Sequence, residues 1–182
     1  MSLPHAILGL LAIEPMTGYD LKTRWFDRAL RYFWPADQAQ IYRSLETLAK
    51  RGWASSHIEP ATDRPNRKVY TLSEDGRVEL RRWLTTPQPL PAVRDPLLVQ
   101  LFCGAEVANS DLLQMLAQQE TAHRDRLVTY ETMRQTFFSV PAPGRRERLW
   151  RLTLENGIRR ERAYLDWLAA ATAELDEYQS EA

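Results

Sequence analysis

The feature that most constrains this chain is a short segment, from Pro87 to Pro91, with proline at every second position. Proline lacks a backbone N–H and disfavours helical geometry in the residue before it, so this segment favours an extended polyproline conformation. A chain of 182 residues can form one good core or two small domains. We therefore predict two domains, residues 1–85 and 95–182, joined by a linker at residues 86–94.

Composition excludes several classes of protein. Basic and acidic side chains are equal in number, 24 of each, and the first 85 residues hold only a small basic excess of 13 over 10. Cys103 is the single cysteine, so neither a disulfide framework nor a thiolate metal cluster is expected. The sequence has no signal-peptide pattern and no run of 18 apolar residues, which predicts a soluble, cytoplasmic protein without a membrane partner.

The stretch at residues 37–53 has the pattern of an amphipathic helix. At 100° per residue, Ile41, Leu45 and Leu48 fall on one narrow stripe, and Gly52 can adopt the left-handed conformation that ends a helix. The opposite side carries polar and cationic side chains: Gln40, Arg43, Thr47 and Lys50. Such a helix occurs on many protein surfaces, so its meaning depends on its neighbours.

The neighbouring patterns give this helix a context. Before it come an apolar helix at residues 3–13 and a second helix that begins at Thr17 and carries Lys22, Arg24 and Arg28. After it come two short strands, residues 54–58 and 68–72, and then a helix capped by Ser73. This order predicts a winged helix-turn-helix domain, mainly α with a small β-hairpin wing. The core side chains predicted in the last helix are Val78, Leu80, Trp83 and Leu84.

In a winged helix-turn-helix domain, the outward face of the helix at residues 37–53 enters the major groove of DNA. Gln38 and Gln40 are then candidates for bidentate pairing with adenine, and Arg43 for guanine or a phosphate. Tyr42 lies at the edge of the buried stripe, and two roles stay open for it: donation to a phosphate or packing. Thr47 and Lys50 complete the predicted DNA-binding face.

The loop between the two strands is rich in turn-forming residues and cations. Arg64 and Arg67 lie in it, and Lys68 stands beside them. A hairpin tip with cations and without an apolar anchor suits contact with phosphate or the minor groove. The alternative is a solvated loop whose charge is incidental.

Three helical patterns follow the linker, at residues 95–104, 110–138 and 145–179. The last contains apolar residues that recur at steps of three and four, with Glu161 as the one charged member. A helix of about 35 residues spans about 50 Å, more than a domain of this size needs, which favours a homodimer. The alternative is an intramolecular antiparallel pair with the 110–138 helix. The predicted dimer interface comprises Leu154, Tyr164, Leu168, Ala171 and Leu175.

Catalytic chemistry has no candidate here, and neither a metal nor another cofactor is expected. His5, His57 and His123 fall on different predicted elements without a paired nucleophile at motif spacing, and Cys103 is predicted to be a core residue. Six tryptophans are present, and two interpretations stay open for them: structural packing, or an apolar pocket at the interdomain or dimer interface for a planar aromatic or lipophilic molecule.

Several segments resemble the PadR family of bacterial transcriptional regulators. They are residues 18–21, 40–48, 51–53, 68–76, 83–87, 94–102 and 163–168, so the resemblance covers nearly the whole chain. It implies a winged-helix N-terminal domain, a helical C-terminal dimerisation domain and, in some members, repression relieved by a small molecule. Many members have proline after the tyrosine of the reading helix, where this chain has Arg43, and this departure bears on which bases are read.

The expected function is therefore that of a homodimeric repressor. Two-fold symmetry would present two reading helices about 34 Å apart, one duplex turn, so the expected operator is an inverted repeat in double-stranded DNA. A small aromatic or lipophilic effector would release it. The alternative is a winged-helix module for protein contacts that does not bind DNA.

Overall fold

The structure, a computed structural model, describes residues 3–60, 66–138 and 144–180. The chain forms two compact units, Met1–Pro91 and Ala92–Ala182. Residues 86–95 contain no helix or strand, as the proline spacing predicts. Every helix in the described ranges is too short or too polar to cross a membrane.

The first unit is a winged helix-turn-helix domain, as predicted. Its elements are α1 (Leu3–Leu11), β1 (Met16–Thr17), α2 (Gly18–Asp20), α3 (Gln38–Lys50), β2 (Ala54–Glu59), β3 (Arg67–Leu72) and α4 (Glu74–Thr85). The apolar helix α1 packs against α3, α4 and β3, so it is covered on several sides within its own unit. Ile7 and Leu8 of α1 are fully buried, as are the three stripe residues of α3.

The sheet has three antiparallel strands in the order β1-β3-β2. In the wing, β2 pairs with β3 from Ala54 opposite Leu72 to Glu59 opposite Arg67. The third strand, β1, pairs Thr17 with Val69 and was not predicted. A strand of two residues is too short to produce a periodic pattern in the sequence.

The predicted helix from Thr17 to Leu30 is wrong in its form. Only α2 is α-helical, and residues Leu21–Phe26 form a π-helix in which the Asp27 N–H donates to the Lys22 carbonyl at 2.8 Å. Leu21 and Phe26 are both buried. In an α-helix, residues five apart point about 140° away from each other. The wider turn brings both side chains into the core.

The second unit consists of α5 (Pro96–Phe102), α6 (Asn109–Phe138) and α7 (Arg145–Ser180), with a short 3₁₀ turn at Gly104–Glu106. The contacts between α6 and α7 show that they run antiparallel: Asn109 bonds to the Leu175 carbonyl at 3.2 Å, and Arg162 pairs with Glu131 at 2.6 Å. Their limits agree with the predicted helices at residues 110–138 and 145–179.

Most of the residues predicted for a dimer interface have packing partners within the chain. Leu168 is 1% exposed and packs with Leu97 and Leu116 of the same chain. Three further predicted interface residues pack against this cluster: Tyr164, Ala171 and Leu175. Heptad-like spacing shows that a helix has a partner helix, but not which chain supplies it. The seam is therefore filled by the antiparallel intramolecular pair, and Leu154 lies half-buried outside this cluster.

Glu161, the charged member of the seam, is buried and paired within the chain. Its Oε2 lies 2.5 Å from His123 Nδ1, and its Oε1 lies 3.6 Å from an Nη1 of Arg126. The His123 ring stacks on Tyr164 at 4.0 Å, and the Tyr164 hydroxyl donates to Asp95 at 2.6 Å. Burial and the Asp95 carboxylate both raise the pKa of Tyr164, so its hydroxyl stays protonated. Glu161 and the Tyr164 hydroxyl thus have partners within one chain.

Three side chains predicted to be buried are exposed instead. Val78 and Leu84 lie on the outer side of α4, whereas Leu80 faces the core. Cys103 is also exposed, just beyond the end of α5. The sequence around these residues is apolar, and it does not indicate which side of each short helix is buried.

Candidate nucleic-acid interface

Helix α3 is fixed at both ends by its own sequence. Asp37 caps it by accepting from the Gln40 N–H at 2.7 Å, and Gln40 Oε1 accepts from the Asp37 N–H at 3.0 Å. At the other end, Gly52 has a φ of +72°, as predicted. Ile41, Leu45 and Leu48 are fully buried. The outward direction of the opposite face is therefore determined.

The predicted DNA-binding side chains of α3 are exposed on that face. Gln38, Arg43 and Lys50 point into solvent, and within the described residues neither cation makes an ion pair. The Thr47 hydroxyl donates to the Arg43 carbonyl at 2.9 Å, which leaves its oxygen as an acceptor. The face thus offers free guanidinium, ammonium and amide donors.

Gln40 has a structural role that was not predicted, and Tyr42 shows the packing that was one of its two open roles. Because Gln40 Oε1 bonds to the Asp37 backbone, bidentate pairing of Gln40 with adenine would compete with the helix cap. The Tyr42 ring packs over Gly18, where an added Cβ would lie 2.7 Å from two ring carbons. Tyr42 is still 37% exposed, so packing against α2 does not hide it.

The predicted cations of the wing differ in their exposure and in their contacts. Lys68 is exposed, with its Nζ 5.3 Å from the Tyr70 ring centroid. Arg67 is half-buried and donates from Nη2 to Asp20 Oδ2 at 2.8 Å. Arg64 lies outside the described residues. The structure therefore places Arg67 at the loop end of the wing, beside α2.

Two of the cations before α3 are paired with carboxylates. Lys22 pairs with Asp27, and Arg24 pairs with Glu14. Arg28 is exposed and forms no ion pair within the part of the chain that the structure describes. Surface pairs of this kind are weak, so they can exchange a carboxylate for another anion at small cost.

A polar and aromatic cluster supports the C-terminal end of α3. His5 Nε2 lies 2.9 Å from Glu79 Oε1, and the His5 ring stacks on Trp83 at 4.8 Å. Hydrogen bonds from Arg82 and His5 lower the pKa of Glu79 to about 2, so this carboxylate is ionised at neutral pH. A cavity of about 350 Å³ adjoins the cluster, lined in part by Trp53 and by Thr47, Leu48 and Arg51 of the α3 end.

The described histidines pair with carboxylates rather than with nucleophiles. His5 contacts Glu79, His123 contacts Glu161, and His57 lies 3.6 Å from Glu59. No group of three His, Cys, Asp or Glu residues in the described ranges is arranged to hold a metal ion. These pairs are structural contacts of the two units.

Two supporting contacts were not found from the sequence. The Asp20–Arg67 pair joins residues 47 positions apart, and the His5–Glu79 pair joins residues 74 apart. Neither has a local signal. The Asp37–Gln40 capping box does have one, because an N-cap residue is followed three positions later by a glutamine at the start of an amphipathic pattern.

The chain matches two family models in sequence. Residues 7–82 match the transcriptional regulator PadR-like family, and residues 93–176 match the virulence activator alpha C-terminal family. The chain is 34% identical to the probable transcriptional regulator Rv1176c of Mycobacterium tuberculosis, over 97% of this chain and 99% of that protein. It is 31% identical to the negative transcriptional regulator PadR of Bacillus subtilis, over 96% of this chain and 97% of that one.

Solved structures of these regulators share the fold. Bacillus subtilis PadR in complex with operator DNA has a TM-score of 0.85 at 27% identity, over 96% of this chain and 99% of that chain. The same protein in complex with p-coumaric acid has a TM-score of 0.81 at 28% identity, and the Vibrio cholerae virulence activator AphA has 0.77 at 29%, each over 97% of this chain and 99% of the other. The chain therefore belongs to the PadR-like family of transcriptional regulators, which are not enzymes.

Proposed function

We propose that this chain is a bacterial, cytoplasmic repressor that binds an inverted-repeat operator as a homodimer. The observation that carries the proposal is the outward face of α3. Gln38, Arg43, Thr47 and Lys50 are exposed on one side of a helix whose other side is fully buried. A rigid helix with free donors on one face, beside a basic wing, is the geometry that reads a major groove.

The side chains of this face have different roles in the proposal. Arg43 and Gln38 read base edges, because both are exposed and Gln38 is not engaged in the capping box. Lys50 and Lys68 bind phosphates, as exposed ammonium groups do. Gln40 holds the start of the helix in place through its bond to Asp37. The relative that has been solved with operator DNA, Bacillus subtilis PadR, supports binding of duplex DNA by this fold.

The homodimer is proposed to form through apolar side chains that the second unit leaves exposed. On α5, Val99 is 64% and Phe102 is 91% exposed, and Leu98 is exposed beside them. Leu149 and Leu152, on the first turns of α7, are exposed as well. These are two separate patches, because α5 packs beside Leu168, about 25 Å along α7 from Leu149 and Leu152. An exposed apolar patch such as the one on α5 is typical of a surface that a partner covers. The patch on α5 is the proposed dimer interface.

The proposed effector is a small aromatic molecule that releases the repressor from DNA. Its support is the Bacillus subtilis PadR complex with p-coumaric acid, an aromatic carboxylic acid. Release requires that the effector bind the DNA-free form more tightly than the DNA-bound form. The effector should therefore raise the apparent Kd for operator duplex in proportion to that difference in affinity.

The assignment of Arg43 can be tested by substitution. Arg43→Ala should weaken binding to the operator by about 1–3 kcal/mol and relax the preference at one base pair per half-site, because a bidentate base contact is lost. Fluorescence anisotropy against a series of single-base-substituted duplexes measures both effects. Arg81→Ala is the matched control, since Arg81 is an exposed arginine of α4 outside the proposed interface.

Two results would count against this proposal in different ways. If Arg43→Ala kept the full affinity and base preference, Arg43 would not read a base. If the wild-type protein bound operator and scrambled duplex equally and weakly, the winged helix would be better explained as a module for protein contacts.

A further inference from the structure

Thr17, Asp20 and Arg67 form a node that joins three elements beside the loop end of the wing. Thr17 belongs to β1, Asp20 ends α2, and Arg67 begins β3. Asp20 Oδ2 accepts from the Thr17 N–H at 3.1 Å, from the Thr17 hydroxyl at 2.6 Å and from Arg67 Nη2 at 2.8 Å. The carboxylate of Asp20 therefore fixes the guanidinium of Arg67 relative to the helix that precedes the reading helix.

The charge state of Asp20 suits this role. Burial raises the pKa of Asp20, but the two hydrogen bonds from Thr17 and the positive charge of Arg67 outweigh it, so the pKa lies below its usual value. Asp20 is therefore ionised at neutral pH. Arg67 remains 36% exposed, and its planar group carries five N–H donors, of which the bond to Asp20 uses one.

The position of Arg67 places the remaining donors at the wing. Arg67 is the first residue of β3, opposite Glu59 at the end of β2, and the exposed Lys68 follows it. An unrestrained arginine loses side-chain entropy when it is fixed. A guanidinium already held by a carboxylate loses less of this freedom when it meets a second anion.

We infer that Asp20 is a positioning residue for DNA binding, which holds the Arg67 guanidinium so that its free N–H groups meet a backbone phosphate of the duplex. This inference rests on the proposed function. For neutralisation of Asp20, it predicts the opposite of what simple electrostatics predicts. Asp20 carries a negative charge close to the proposed DNA surface, so without a positioning role its neutralisation should tighten binding to DNA.

A double-mutant cycle separates the two expectations. Operator affinity is measured by fluorescence anisotropy, over a salt series, for wild type, Asp20→Asn, Arg67→Gln and the double variant. Asp20→Asn keeps an oxygen that can accept from Thr17 but loses the charge that holds Arg67. It should weaken binding roughly threefold or more, and the double variant should bind as Arg67→Gln does. Both single variants should lower the salt slope by about 2 for the dimer, as expected for the loss of one phosphate contact in each half-site.

Two further variants serve as controls. Asp27→Asn makes the same charge change on a neighbouring carboxylate that pairs with Lys22, and it should leave affinity unchanged or slightly higher. Arg67→Lys keeps the positive charge but replaces the fork with a single ammonium group, and it should reduce the effect of Asp20→Asn. Thermal melts of each variant identify any that fails to fold, and the Arg67 variants carry the test in that case.

The inference is overturned if Asp20→Asn binds the operator as tightly as wild type or more tightly. It is also overturned if the losses of Asp20→Asn and Arg67→Gln multiply in the double variant, because the two residues would then act independently. A wild-type protein that binds no duplex at low salt would instead refute the proposed function, and this inference with it.

Discussion

At the scale of single residues, Gly76 occupies a position where no side chain fits. A Cβ on Gly76 would lie 1.9 Å from the carbonyl oxygen of Trp53 and 2.9 Å from Leu72 Cδ1. The oxygen belongs to backbone, which cannot rotate away as a side chain can. Gly9, in the middle of α1, has no atom within 4 Å of its Cβ position among the described residues. The two glycines therefore differ in why they are present.

This contrast predicts opposite effects on stability. Gly76→Ala should lower the free energy of unfolding by about 1–3 kcal/mol or more, because α4 must move away from the segment before β2. Gly9→Ala should raise it by about 0.5–1 kcal/mol, because alanine loses less backbone entropy in a helix. Urea unfolding followed by circular dichroism measures both. Similar values for the two variants would show that the close approach at Gly76 is not present in solution.

Residue-scale contacts were the hardest to predict. The buried and exposed faces of α3 follow from spacing alone, and the exposure of Gln38, Arg43 and Lys50 agrees with that spacing. The pairing of Arg67 with Asp20 depends on a β-ladder between β1 and β3, which places Thr17 beside Val69. The sequence contains no pattern for a two-residue strand, so it predicted Arg67 as a free cation.

At the scale of elements, the two long helices show most clearly what a sequence pattern predicts and what it does not. It predicts the limits of a helix but not its packing partner. The limits of α6 and α7 agree with prediction because turn-forming residues bound both helices and α7 carries a long apolar period. The partner of α7 could not be predicted, because the same period fits a helix of another chain or of this one. In the structure α7 packs closely on α6 of the same chain: a Cβ on Gly157 would lie 3.0 Å from the Tyr130 ring of α6.

The revised position of the dimer interface gives a prediction about two substitutions in the second unit. Leu168→Glu should lower stability by at least about 3 kcal/mol, because it buries a charge between α6 and α7. Phe102→Glu should leave the fold and the melting temperature nearly unchanged and convert the dimer to a monomer, because Phe102 is exposed within one chain. Analytical ultracentrifugation and thermal melts measure the two effects separately.

The opposite pattern would contradict the revised interface. If Leu168→Glu gave a stable monomer, α7 would pack against a second subunit, as its spacing first suggested. If Phe102→Glu remained dimeric, the partner would cover another part of the unit.

At the scale of the whole molecule, the equal numbers of basic and acidic side chains place a limit on how DNA is bound. A protein with a formal net charge of zero gains little from long-range attraction to a polyanion. The proposed function therefore assigns DNA binding to the local cations of α3 and the wing. If a dimer neutralises about six to ten phosphates, affinity falls by about 10³ to 10⁵ between 50 and 200 mM salt.

The most direct test of the central claim is fluorescence anisotropy of the purified protein with duplex from the region upstream of its own gene. The titration is repeated across a salt series and against a scrambled duplex of the same composition. The proposed function predicts tight binding with a preference for the native sequence, a stoichiometry of one dimer per inverted repeat and a steep loss of affinity with salt. Absence of binding to either duplex at low salt would contradict it.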